Sequence, residues 1–281
     1  MGLVYLKTKK VTAMKLVRIS TVEGRIAYGI PRPDGTAIIC TGDFESGFQP
    51  SSKAMPIATC LPPLSPPNII GIGLNYRQHA RETKATIPDK PVVFAKLTTS
   101  VTGHNHPIIL PMVTDPDGEV DYECELAVII GKTAHNTPAS TALDHVFGYT
   151  CANDVSARQW QKFGGNGQWV RGKSFDTFCP LGPWIVTADE IPDPQALPIR
   201  TRLNGMVMQE HTTADMIFTV AQLIHFLSQD TTLLPGTIIL TGTPQGVGFV
   251  RHPPVWLKAG DSVSVEIDGI GTLTNPVVKS S

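Results

Sequence analysis

Apolar and polar residues alternate from Met14 to Ile39 around the turn signals Glu23-Gly24 and Asp34-Gly35, a pattern that predicts a small antiparallel meander. Proline then crowds Leu61 to Pro67, LPPLSPP, which is stiff and cannot donate ladder hydrogen bonds. A boundary there divides the chain into a small N-terminal β domain, residues 1–65, and a larger domain, residues 66–281. Beyond it, Ile69 to Leu74 reads as a short buried strand, with Asn75 as the cap of a helix over Tyr76 to Lys84. The runs Leu126 to Ile130, Trp184 to Thr187 and Ile238 to Thr241 are apolar and rich in β-branched residues, so they predict core strands. Asn204-Gly205 and Asp268-Gly269 each sit between two such runs and predict hairpins. One long amphipathic helix is expected over Ala214 to Ser228, where Ile217, Val220, Ala221, Ile224 and Leu227 fall at helical spacing. The expected class is mainly β with a few helices (α+β).

Charge and composition narrow the functions open to such a chain. Among 281 residues, 23 basic side chains face 24 acidic ones, so no global field gathers nucleic acid or an anionic membrane. Neither is expected as a partner. Hydrophobic residues at 41% and charged residues at 17% are ordinary globular proportions. The five cysteines, at 40, 60, 124, 151 and 179, form no CxxC pair and no zinc spacing, and read as buried thiols of a reducing compartment. The start, MGLVYLKTKKVTAMKL, has basic residues but no long apolar core ahead of a cleavage site. A cytoplasmic location is expected, with a mitochondrial address left open.

The chemistry concentrates in five segments. In VDYECELAVIIG, acidic residues alternate at 121, 123 and 125 just before a buried strand, where alternate side chains share a face. Glu123 and Glu125 would repel one another at the edge of a core, and a hard cation relieves that repulsion; a solvated strand edge gives the same pattern. In CANDVSARQWQ, Asp154, Arg158 and Gln161 stand at i, i+4 and i+7, one face of a helix, which suits either a shared ligand or a surface ion pair. In NYRQHARE, His79 and Glu82 at i, i+3 can touch, and a carboxylate that raises imidazole basicity is what activation of water requires. Lys173, in VRGKSFDTFCPLGP, could hold an anionic oxygen or snorkel to solvent. TGTPQGVG, Thr241 to Gly248, is a glycine-rich turn that lets backbone approach a ligand, but it matches neither nucleotide-binding fingerprint.

Taken in order, GIGLNYRQHARE, VDYECELAVIIG, CANDVSARQWQ, RGKSFDTFCPLGP and TGTPQGVG closely resemble the fumarylacetoacetate hydrolase family over roughly Ile69 to Val278. The resemblance implies a mixed β-sandwich roll preceded by a small N-terminal β domain, commonly as a homodimer. It implies metal ligands at Glu123, Glu125 and Asp154 around Mg²⁺ or Mn²⁺, for which Ca²⁺ may substitute. On the same ground, His79 and Glu82 are the water-activating pair on a lid helix, Lys173 is catalytic, and Tyr76, Arg158, Gln161 and Thr243 lie by the substrate. Expected substrates are small 2-oxo or β-dicarbonyl acids. The expected reaction is C–C hydrolysis of the acylpyruvate or fumarylpyruvate type, with oxaloacetate decarboxylation possible; the alternatives are an isomerase or hydratase of oxo-diacids, or a silent binding protein on the same fold. Two positions depart from the common pattern: the glycine-rich Gly164-Gly165-Asn166-Gly167, and Leu97 where a proline often stands.

Overall fold

The computed structural model describes residues 14–114 and 118–280; the basic stretch at the start of the chain lies outside them. The alternating N-terminal text folds into four antiparallel strands, Lys15–Thr21, Ile26–Pro31, Thr36–Asp43 and Gly47–Cys60. The first of them also pairs with Cys179–Thr187, Lys15 opposite Val186, so the meander continues into the large sheet. From there the sheet runs through Val146–Asn153, Cys124–Ile130, Ile238–Leu240 and Ile69–Gly73 to Val92–Lys96 at its edge. A second, five-stranded sheet contains both expected hairpins. Asn204 and Gly205 have the positive φ values, 53° and 83°, of a tight two-residue turn. The second hairpin closes one residue later than its Asp-Gly signal, with Ile267 opposite Gly271.

The strand Cys124–Ile130 is buried along its whole length, because both of its faces meet protein. Leu126, Val128 and Ile130 pack in one core with Ile199, Val265 and Leu273 of the second sheet. Ala127 and Ile129 face a separate core that holds Phe48 and Leu64 of the N-terminal third. A continuous apolar run is the sequence signature of such a strand. Its polar N-terminal end, at Glu123 and Glu125, lines a cavity.

Three expectations about helices are corrected. The helix expected over Ala214 to Ser228 is only Val220–Leu227, preceded by a 3₁₀ turn at Thr213–Asp215. Thr219 starts it with a capping box: its hydroxyl accepts from Gln222 N–H while the Gln222 side chain accepts from Thr219 N–H. The backbone before that cap is used elsewhere, since Ile217 N–H donates to the Asn75 carbonyl at 2.7 Å and Phe218 N–H to its side-chain oxygen at 2.8 Å. Asn75 is therefore a clamp between segments and not a helix cap; α1, Arg77–Glu82, begins after Tyr76 without a side-chain cap. Nor do Asp154, Arg158 and Gln161 share a helix. Ser156–Ala157 is a short strand paired with Val120–Asp121, and Gln159–Phe163 is a π-helical turn.

Candidate active site

The carboxylates foreseen for a metal are brought together by three separate features. Glu125 lies in the strand Cys124–Ile130, Glu123 in the break before it, and Asp154 just past the end of the neighbouring Val146–Asn153 strand. Asp154 N–H donates to the Glu123 carbonyl at 2.9 Å and Glu123 N–H to the Asn153 side chain at 3.0 Å, which locks the two strand ends together. One oxygen from each of Glu123, Glu125 and Asp154 lies within 4.8 Å of the others, and all three residues are buried.

The cations are as close as the anions. The Lys173 ammonium donates to Glu123 at 2.8 Å, to Asp154 at 2.6 Å and to the Ser156 hydroxyl at 2.7 Å. Burial opposes its charge, but Asp154 and Glu123 outweigh that and raise its pKa. Arg158 donates to Glu123 at 2.7 Å, to Asp121 at 2.9 Å and to Gln161 at 2.9 Å, so the surface pair with Asp154 does not exist. Burial would raise the Glu123 carboxyl, yet Lys173 and Arg158 together hold it well below the ordinary range. Glu125 is the reverse case: burial first, then Asp154 and Glu123, push its pKa well up. A carboxylate that resists ionisation beside two others, with oxygen donors only, fits a hard divalent cation.

The acids here also need backbone donors, and the turn 241–248 supplies them. Gly242 N–H donates to Glu125 at 2.7 Å, Gly246 N–H to both Glu82 oxygens at 3.0 Å, and Gly248 N–H to Asp121 at 2.7 Å. Gly242 has φ +94°, and a Cβ there would meet Asn75 Cβ at 2.7 Å, so the turn needs glycine at that point. His79 Nδ1 and Glu82 Oε1 are 2.7 Å apart, and His79 is buried. His79 faces a cavity of about 240 Å³ that is also lined by Glu123, Glu125, Arg158, Gln161, Lys173 and Thr243.

Of the residues foreseen at the site, Tyr76 alone joins neither the cavity lining nor the side-chain network bonded to it. It packs fully buried in the core with Cys124 and Met216 and does not line the cavity. Two residues bonded into the site's charged network were not assigned from sequence. Lys96, at the end of the edge strand Val92–Lys96, reaches Asp154 at 2.5 Å. Asp121 bonds Arg158 and the turn at Gly248 and Phe249. The first acid of D-x-E-x-E was the signal for Asp121, and a lysine closing an apolar strand was the signal for Lys96.

The model of the family described as Fumarylacetoacetate (FAA) hydrolase C-terminal matches residues 68–278. The chain belongs to this family. Its relatives include a fumarylacetoacetate hydrolase domain-containing protein 2 homolog of Dictyostelium discoideum, 48% identical over 238 residues, 81% of this chain and 77% of that one. The mitochondrial oxaloacetate tautomerase of Homo sapiens is 46% identical over 221 residues, 78% of this chain and 69% of its own length. Among solved structures, 5-carboxymethyl-2-hydroxymuconate delta-isomerase from Mycobacterium smegmatis is 40% identical, with a TM-score of 0.81 over 95% of this chain and 100% of that one. The mixed-sheet fold expected from the sequence is thus the fold of the family. Among the described residues no helix is long and apolar enough to cross a membrane.

Proposed function

We propose that this fumarylacetoacetate hydrolase family member is a divalent-metal-dependent enzyme that interconverts the keto and enol forms of a small 2-oxo acid. The observation that carries the reading is the buried triad of Glu123, Glu125 and Asp154, interleaved with Lys173, with Glu123, Glu125, Lys173 and the His79 of the His79–Glu82 pair lining one cavity. A divalent ion held there would bind the 2-oxo carboxylate and polarise its oxo group. Glu82 occupies His79 Nδ1 and fixes the ring, so that Nε2 is the nitrogen available to take a proton from the carbon beside the oxo group. As that C–H bond breaks, its electron pair moves to the oxo oxygen, where the Lys173 ammonium stabilises the negative charge. Return of the proton to the oxygen completes the enol. The relatives named as a tautomerase and an isomerase act through names that fit this chemistry.

The second reading, hydrolysis of a C–C bond in an acylpyruvate, is favoured by the same imidazole–carboxylate pair, which suits activation of water. One experiment decides between them. Oxaloacetate and an acylpyruvate are supplied in D₂O with Mg²⁺, and deuterium exchange beside the oxo group and product release are followed by NMR. Enzyme-dependent exchange that is lost with EDTA and in Glu123→Gln is the expected result. Pyruvate release from the acylpyruvate without faster exchange of oxaloacetate would overturn the tautomerase reading in favour of hydrolysis.

A further inference from the structure

Lys162 lines the mouth of the same cavity, on the π-helical turn Gln159–Phe163 that follows Arg158. Its ammonium lies 3.5 Å from the centre of the Phe249 ring, and the Arg158 guanidinium lies over the same ring at 4.4 Å. Phe249 is itself held in place, because its N–H donates to Asp121 at 3.0 Å. Two cations held over one aromatic ring repel each other. Arg158 is answered by Asp121 and Glu123, but Lys162 has no hydrogen-bonded or ion-paired acid among the described residues. Partial burial first, then the Arg158 charge, lower its pKa, so its charge gains from an anion brought beside it.

The pairing of charges around the cavity says what kind of anion. Lys96, Arg158 and Lys173 are each bonded to buried carboxylates, and Glu82 is bonded to His79. Lys162 at the mouth is the cation among these with no such partner. A divalent ion on the triad would take one carboxylate of an oxo acid, and Lys162 offers a separate cation that a second carboxylate can reach and a monoacid leaves unanswered. We propose that Lys162, held over Phe249, is the subsite for the second carboxylate of a 2-oxo diacid, and so selects diacids over 2-oxo monoacids. This inference rests on the oxo-acid reading of the site.

The test uses two probes that share an oxamate core and cannot enolise: oxamate itself, and N-oxalylglycine, which adds a distal carboxylate. Each is titrated by calorimetry into Mg²⁺-loaded wild type, Lys162→Met and Lys162→Arg. Wild type is expected to bind N-oxalylglycine more tightly than oxamate. Lys162→Met should weaken N-oxalylglycine by about fivefold to tenfold, the range of one partly screened charge-assisted contact, and leave oxamate unchanged. Lys162→Arg should keep most of the preference, since it keeps the charge and stacks on the ring. Oxamate binding with no diacid-specific loss in Lys162→Met, or an equal loss for both probes, would overturn the subsite while leaving the oxo-acid reading intact. If neither probe binds the Mg²⁺-loaded wild type, the oxo-acid reading fails and the subsite with it. Lys162 is exposed, and unchanged thermal midpoints will exclude misfolding as the cause of any loss.

Discussion

Lys96→Met should trade stability of the metal-free protein for affinity toward the metal. Lys96 is buried, its side chain fully so, and its ammonium donates to Asp154 Oδ1 at 2.5 Å with the Val155 carbonyl further off at 3.4 Å. Methionine has nearly the same length and fills the same space, so the change removes the charge and little packing. Breaking one half of a buried ion pair costs about 3 to 5 kcal/mol. The lower figure applies here, because Asp154 keeps Lys173 at 2.6 Å. For a chain of this size about 3 kcal/mol lowers the thermal midpoint of the metal-free protein by roughly 6 °C. The same loss frees one Asp154 oxygen and removes a positive charge that opposes a divalent ion at the triad. At the effective dielectric of a protein site that repulsion is worth at least about 1.4 kcal/mol, so Mg²⁺ should bind roughly tenfold more tightly. Calorimetric unfolding in EDTA and isothermal titration with Mg²⁺ read the two effects separately. A lower midpoint with unchanged or weaker Mg²⁺ binding would refute the reasoning, since Lys96 would then organise Asp154 for the ion and not compete with it.

Two further perturbations follow from the same geometry. His79→Ala should leave Mg²⁺ affinity within about twofold, since His79 is not part of the carboxylate triad, and slow deuterium exchange into oxaloacetate by roughly a hundredfold or more; exchange at the wild-type rate would remove His79 from proton transfer. Thr219→Ala deletes one arm of the capping box of the Val220–Leu227 helix and should cost about 1 kcal/mol, read as a shift of the urea midpoint with an unchanged slope, while exchange kinetics stay as in wild type. A fall in exchange rate there would mean that the Asn75 clamp on Ile217 and Phe218 transmits the cap to the cavity.

Local chemistry made much of the fold legible. The N-terminal alternation, the apolar run at Leu126 to Ile130 and the Asn204-Gly205 turn each encode their element within a few residues, because side-chain period and turn conformation are local properties. The helix over Ala214 to Ser228 was over-read for the opposite reason. Its apolar spacing is real, but Asn75, more than 140 residues earlier in the chain, claims the backbone of Ile217 and Phe218. The same holds for Arg158, whose i−4 neighbour Asp154 suits a surface pair while its partners, Asp121 and Glu123, arrive from a segment more than 30 residues earlier.

By itself the sequence singled out most of the candidate residues of the site: Glu123 and Glu125 of D-x-E-x-E, Asp154, the His79–Glu82 pair that touches within one helical turn, and Lys173. Each is written in a short segment, and a short segment fixes which side chains are present and which face of a strand or turn they share. Tertiary structure decided who answers whom. It sent Lys96 from the sheet edge to Asp154, turned three glycine N–H groups toward three carboxylates, drew Tyr76 into the core, and left Lys162 over Phe249 at the mouth of the cavity. Those pairings depend on charges taken out of water, and a buried charge is balanced by whatever the fold brings within a few ångströms, however distant it is along the chain.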